Sequence, residues 1–247
     1  MRRYSTIIIL AGILVVTSGL IYLLHYYTFR DVHHLFIFLV GDLAFLPLEV
    51  FLVVMVIERI LARREKAAIL QKLNMVVGTF YSEVGTKLLQ RFVSCFGQNN
   101  EIHRQFAINQ NWSHTDFKKA IALATAMVAK PDCQKIDLEE LRTFFIEKRP
   151  FLLTLLENPN LLENEHFTDL LWATFHLAEE LEARPSMTNL PETDLEHIAN
   201  DIKRLYGHLA AEWLTYAEHL KSKYPFLFSL VVRTHPFQEH PSPIVVA

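Results

Sequence analysis

The chain changes its hydrophobic rhythm twice. From Ile7 to Leu24 almost every position is apolar, and no charge falls between Ser5 and Tyr27. A second apolar run begins near His34 and ends near Ile60, broken in its middle by Asp42, Pro47 and Glu49. Each run reaches the about 20 residues that an α-helix needs to cross a hydrocarbon layer. Beyond Glu58 the solid runs give way to spaced apolar positions. Leu70, Leu73, Val77, Phe80, Val84 and Leu88 recur at steps of three and four, the stripe of a helix with one buried seam. The second run is therefore expected to continue as one long helix to about residue 96, bent at Gly78 or Gly85.

Punctuation divides the remainder. Gly97 to Asn100 breaks the pattern, and Ser113, with Asp116 three residues later, reads as the cap of a helix through Ala129 with Phe117, Ile121, Ala124 and Val128 inward. Asp137 opens a helix carrying Leu138, Leu141, Phe144 and Phe145, expected to stop before Pro150, with a short apolar piece from Phe151 to Leu156. Two longer helices follow. Asn164 to Ala183 turns Phe167, Leu170, Leu171, Thr174, Ala178 and Leu181 inward; Glu192 to Lys223 turns Leu195, Ile198, Ile202, Leu205, Leu209, Trp213 and Leu220 inward. Pro225 ends the second, and Phe226 to Val232 reads as a short helix or a docked strand. Trp172, Trp213 and Tyr216 are expected in the core.

These elements make an all-α protein. Residues 1–62 form a two-helix N-terminal transmembrane hairpin with spans at about 5–27 and 34–58. The second span continues into a cytoplasmic helical domain over 63–233, and 234–247 form a loose tail. The first run exceeds the roughly 7–15 residues of a signal-peptide core, and no small-residue cleavage pattern follows it, so it reads as a retained span. Arg2 and Arg3 flank one end of the hairpin; Arg59, Arg63, Arg64 and Lys66 flank the other; only Arg30 lies in the connection. The positive-inside rule places both termini in the cytoplasm and the turn outside, in the cell membrane.

Composition narrows the reading further. With 51% apolar residues, a formal charge of -3 and seven glycines, there is no basic field for nucleic acid and little sign of a β-rich fold. The two cysteines, Cys95 and Cys133, form no metal or redox motif and read as buried thiols. No phosphate loop, metalloprotease, hydrolase or kinase signature is present, and the sequence leaves any cofactor unknown.

Two constellations carry chemistry. Asp42 and Glu49 are two helical turns apart and share a face of the second span. A carboxylate at the bilayer centre costs at least about 2.5 kcal/mol, so the pair needs protons, water or a partner. It can glue helices together, line a cation or proton path in an oligomer, or receive a basic group from another membrane protein. The second constellation is a pair of similar pieces, His176-Leu-Ala-Glu-Glu180 and His208-Leu-Ala-Ala-Glu212. Packed antiparallel, they could gather His176, Glu180, His208 and Glu212 into a four-ligand metal site, with an ExxH at Glu163 and His166 and a DxxH at Asp194 and His197 nearby. The plainer reading is surface ion pairs.

The sequence thus points to a membrane-anchored sensor, regulator or scaffold that associates with itself through its spans and carries no catalytic centre. A cation or proton channel lined by Asp42 and Glu49 is the first alternative. A metal-binding domain or metal-dependent enzyme is the second. The expected partners are the lipid bilayer, further copies of the chain and a second membrane protein.

Overall fold

The structure is a computed structural model that describes residues 2–96, 104–126, 129, 131–159, 161, 164–238 and 240–245. Its regular elements are all helical among these residues, and the chain divides into two compact units, Met1–Glu65 and Lys66–Ala247. The expected break at 97–100, Val128, Lys130 and Glu163 lie outside the described residues.

In the first unit, α1 spans Arg2–Phe29 and α2 begins at Val32 on its way to Phe80. Two residues join them. Arg30 takes the left-handed conformation (φ 50°) and its N–H returns to Tyr26 O at 2.8 Å, closing α1. Asp31 then caps α2, its Oδ1 accepting from His34 N at 3.1 Å. Helix α2 passes through Pro47 without ending. From Ile9 to Leu61 the large apolar side chains of both helices are exposed apart from the half-buried Leu35 and Met55, and none of the most apolar stretch of either is buried. Both helices are long and apolar enough to cross a membrane by length and composition.

The second unit starts with the last turns of α2. A π turn follows at Tyr81–Gly85, then α3 (Thr86–Val93) and a 3₁₀ turn at Ser94–Phe96. From Leu73 onward the predicted stripe is buried, Leu73, Val77, Phe80, Val84 and Leu88 being at most 3% exposed; the side chain of Leu70 lies outside what the structure describes. Of the two predicted bends, the π turn ends on Gly85. A Cβ there would stand 2.5 Å from Tyr81 Cδ1 and 2.9 Å from Phe80 Cε1, so only glycine leaves room for both rings. Freed by that space, Tyr81 stacks on Tyr216 at 5.8 Å and donates to Leu209 O at 2.8 Å, while Phe80 meets Phe167 edge-on at 5.4 Å. Gly78 makes the matching allowance for Tyr216, whose hydroxyl would lie 2.6 Å from an added Cβ.

Helix α4 is His114–Thr125, opened by a full capping box in which Ser113 N donates to Asp116 Oδ2 at 2.8 Å and Asp116 N donates to Ser113 Oγ. The predicted extension to Ala129 is not made: Ala126 is already the closing residue. Helix α5, Leu138–Leu156, starts on Asp137, whose Oδ1 accepts from Glu140 N. It does not stop at Pro150. The apolar face of Leu141 and Phe145 continues in register to Leu152 and Leu155, at most 6% exposed, and burying these two outweighs the missing N–H of one proline.

Helix α6, Glu165–Ala183, is capped by Asn164. Helix α7, Glu192–Lys223, is the centre of the unit and packs against α3, α4, α6 and α8, the last being Pro225–Thr234. The predicted inner faces of α6 and α7 are buried apart from the half-buried Leu195. Two further expectations fail. Trp172 is 61% exposed, because it lies on the polar face with Asp169 and His176. The tail is not loose from 234 onward: His235 and Phe237 are buried, Trp213 touching both rings and Phe106 meeting Phe237. Asp132 N donates to Cys95 O, joining the segment of Cys133 to that of Cys95; both thiols are free and buried.

Candidate functional site

The chemistry of the second unit concentrates where α6 and α7 lie side by side. The two helices run antiparallel, so each turn forward on one meets a turn back on the other. His176 faces Asp201, Glu180 faces His197, and Asp169 acts on His208. This register decides which residues of the similar pieces can meet.

The first cluster contains His176, Glu180, His197 and Asp201. His176 and Glu180 are one turn apart on α6; His197 and Asp201 are one turn apart on α7. His176 Nε2 and His197 Nε2 each stand 3.4 Å from Asp201 Oδ2, and His197 Nε2 stands 3.5 Å from Glu180 Oε2. Ligand atoms of His176, Glu180 and His197 all lie within 4.8 Å of one another. Asp201 is 3% exposed, yet its Oδ2 makes no hydrogen bond: neither ring N–H is aligned on it. Its Oδ1 is held by Arg204 at 3.2 Å. The imidazoles reach solvent at 43% and 51% exposure.

Arg184 braces this cluster from the end of α6. Its Nε and Nη2 grip both oxygens of Asp194, at 2.9 and 2.6 Å, while Nη1 donates to Glu180 Oε2 at 2.9 Å and to the Glu180 carbonyl. The hydrogen bond from Arg184 holds the carboxyls of Glu180 and Asp194 below their ordinary range, so both are ionised at neutral pH.

The second cluster is a cavity of about 530 Å³ between α4, α6 and α7, lined by His166, Arg204, His208 and Glu212 beside Ile121 and Ala124. Its floor is tight: an added Cβ on Gly207 would lie 3.3 Å from Ala124 O. Glu212 is 7% exposed, and burial raises its pKa against the pull of His166. Burial lowers that of His208, opposed by Asp169. A carboxyl pushed toward its neutral form beside an imidazole kept neutral offers hydrogen-bonding groups to a small polar molecule.

The four residues read from the sequence as one metal site are therefore divided. His176 and Glu180 join His197 and Asp201; His208 and Glu212 join His166. The reason is the register, since His208 lies three turns beyond His197 on the same helix. Reading the sequence missed Asp201, although His197 and Asp201 are another imidazole and carboxylate four apart. In the first unit, Asp42 and Glu49 are exposed and make no hydrogen bond or ion pair with any described residue. Arg59, Arg63, Arg64 and Lys66 are exposed as well.

Two helical units, one apolar and uncovered, the other packed around α7 and carrying two histidine–carboxylate clusters, define the class: an all-helical protein of two units with no strand among its described residues. Residues 69–233 match the family described as "Uncharacterized protein MJ1433, C-terminal helical domain", and residues 2–61 match "MJ1433, N-terminal helical domain". The chain is 42% identical over 236 residues to "Uncharacterized protein MJ1433" of Methanocaldococcus jannaschii, covering 96% of this chain and 94% of that one. It belongs to this family. No solved structure matches it.

Proposed function

We propose that the chain is an integral membrane protein that holds a helical domain at the cytoplasmic face of the cell membrane and associates with itself through its spans, as a sensor, regulator or scaffold. The observation that carries this is the uncovered apolar surface from Ile9 to Leu61. Each Leu, Ile, Val or Phe left in water forgoes about 1.5–3 kcal/mol of burial, and dozens in series need a continuous cover. A bilayer is the cover that two helices of this length and composition fit. Arg59, Arg63, Arg64 and Lys66 then sit at the cytoplasmic head groups. Asp42 and Glu49, without a partner among the described residues, supply the reason for association: across a contact between copies they find hydrogen bonds.

The test is carbonate extraction of native membranes, followed by protease protection of tags at both termini and crosslinking in place. The chain stays in the pellet, both tags are protected from outside, and oligomers form that weaken in Asp42→Asn and Glu49→Gln. A tag reachable from outside refutes the topology, and a chain captured only as monomer refutes the association. Because the same acids can line a path between copies, cation flux through liposomes containing the protein, altered by the same two substitutions, would instead favour the channel.

A further inference from the structure

We propose that His176, Glu180, His197 and Asp201 form a binding site for a divalent first-row transition metal of the Zn²⁺ class, bridging α6 and α7.

Donor chemistry is the first argument. Two imidazoles and two carboxylates are a set that suits zinc and its neighbours, and a poor one for Mg²⁺ or Ca²⁺, which take oxygen ligands alone. Spacing is the second. A tetrahedral ion with bonds of about 2.0–2.1 Å has ligand atoms about 3.3–3.4 Å apart. Three separations measured here are 3.4, 3.4 and 3.5 Å. These imidazole–carboxylate pairs are too far apart and too poorly aligned to be good hydrogen bonds, and each pair is spaced as two ligands of one ion are; the ligand atoms of His176, Glu180 and His197 lie within 4.8 Å of one another, with Asp201 Oδ2 reaching the group through the two imidazoles.

The third argument is Asp201. A carboxylate oxygen that is buried and makes no hydrogen bond is costly, and here it stands between two imidazole nitrogens. A cation supplies what this oxygen lacks. The surrounding groups fit the part of outer partners: Arg204 fixes the far oxygen of Asp201, and Arg184 orients Glu180 and keeps it ionised. Exposure of both imidazoles leaves the ion open to a water molecule and to exchange with solvent.

The site also has a mechanical role. Its ligands come in two pairs, each one turn apart on its helix, so the ion ties one turn of α6 to one turn of α7. Its binding should stabilise the folded second unit by mass action.

The experiment uses the full chain in detergent, stripped with a chelator and titrated with Zn²⁺ against a chromophoric competitor. One equivalent binds per chain, the melting temperature rises, and Mg²⁺ at the same concentration does neither. His176→Gln, His197→Gln and Asp201→Asn each weaken Zn²⁺ by about tenfold or more, a loss of the size that even outer-partner changes produce. His166→Gln, in the neighbouring cavity, leaves Zn²⁺ affinity unchanged. X-ray absorption on the zinc-loaded wild type gives a shell of nitrogen and oxygen with two imidazoles, a readout that depends on no variant. The proposal is overturned if no Zn²⁺ binds, if binding survives His176→Gln and His197→Gln unchanged, or if the absorption shell contains sulfur, which would point to Cys95 or Cys133.

Discussion

His235 predicts a loss of stability in mild acid that one substitution should remove. The residue is 2% exposed, against Trp213 at 5.6 Å and Phe237 at 6.3 Å between ring centres. Burial pushes its pKa down to about 4, with the Ile108 backbone acting weakly the other way. The unfolded chain takes up this proton near the ordinary value of about 6.5, so between the two values the unfolded state binds more protons. The stability that depends on a neutral His235 is therefore complete above about pH 6.5 and drains away as the pH falls toward 4. Linkage gives about 2 kcal/mol lost at pH 5 and about 3 kcal/mol at pH 4. For a unit of this size that lowers the melting temperature by about 6–12 °C at pH 4. The assay is thermal unfolding of the full chain in detergent from neutral pH down to about 4, beside His235→Leu. At neutral pH the variant loses no more than about 1.5 kcal/mol, as a swap of similar volume does. Other acid-sensitive groups act on both proteins alike, so the two curves converge as the pH falls. Parallel curves would refute the reasoning, and with it the docking of the tail on Trp213.

Gly85→Ala should destabilise the second unit by about 2 kcal/mol. The helix-propensity gain of about 1 kcal/mol is outweighed by about 1–3 kcal/mol of overpacking and by strain on the Tyr81–Leu209 hydrogen bond, read from the shift in a denaturant midpoint. A variant as stable as the wild type would show that the Tyr81 and Phe80 rings yield easily. Glu212→Gln should flatten the pH profile in the opposite sense to His235. With its pKa raised by burial, Glu212 contributes stability below its unfolded value that is lost as pH rises through the folded one. The variant therefore gains on the wild type in alkaline solution, as melting temperatures across the range would show.

Helices were legible in the sequence wherever an apolar stripe and a cap agreed. Ser113 caps the helix expected of it, the helices expected to start at Asp137 and Asn164 do start there with those residues as caps, and the stripe from Leu73 to Leu88 is buried as its spacing implies. What failed were judgements that needed the third dimension. Pro150 breaks a helix by local rule, but Leu152 and Leu155 had a core to enter. His235 and Phe237 follow a helix end and sit among prolines, yet Trp213 and Phe106 provide an aromatic socket. At the α6–α7 contact, likeness between two short pieces suggested that they face each other. Facing is set by antiparallel register, which no single helix records; the register carried Asp201, not His208, to His176.

Cys95 and Cys133 suggest a practical use. Both are at most 9% exposed, and burial raises both pKa values, that of Cys133 to about 11. Alkylating reagents attack the thiolate, which is scarce here at neutral pH even before access is considered. The native protein therefore carries two dormant reporters where the Ser94–Phe96 turn meets the segment of Cys133. Their labelling rate clocks how often that corner opens, with no engineered probe.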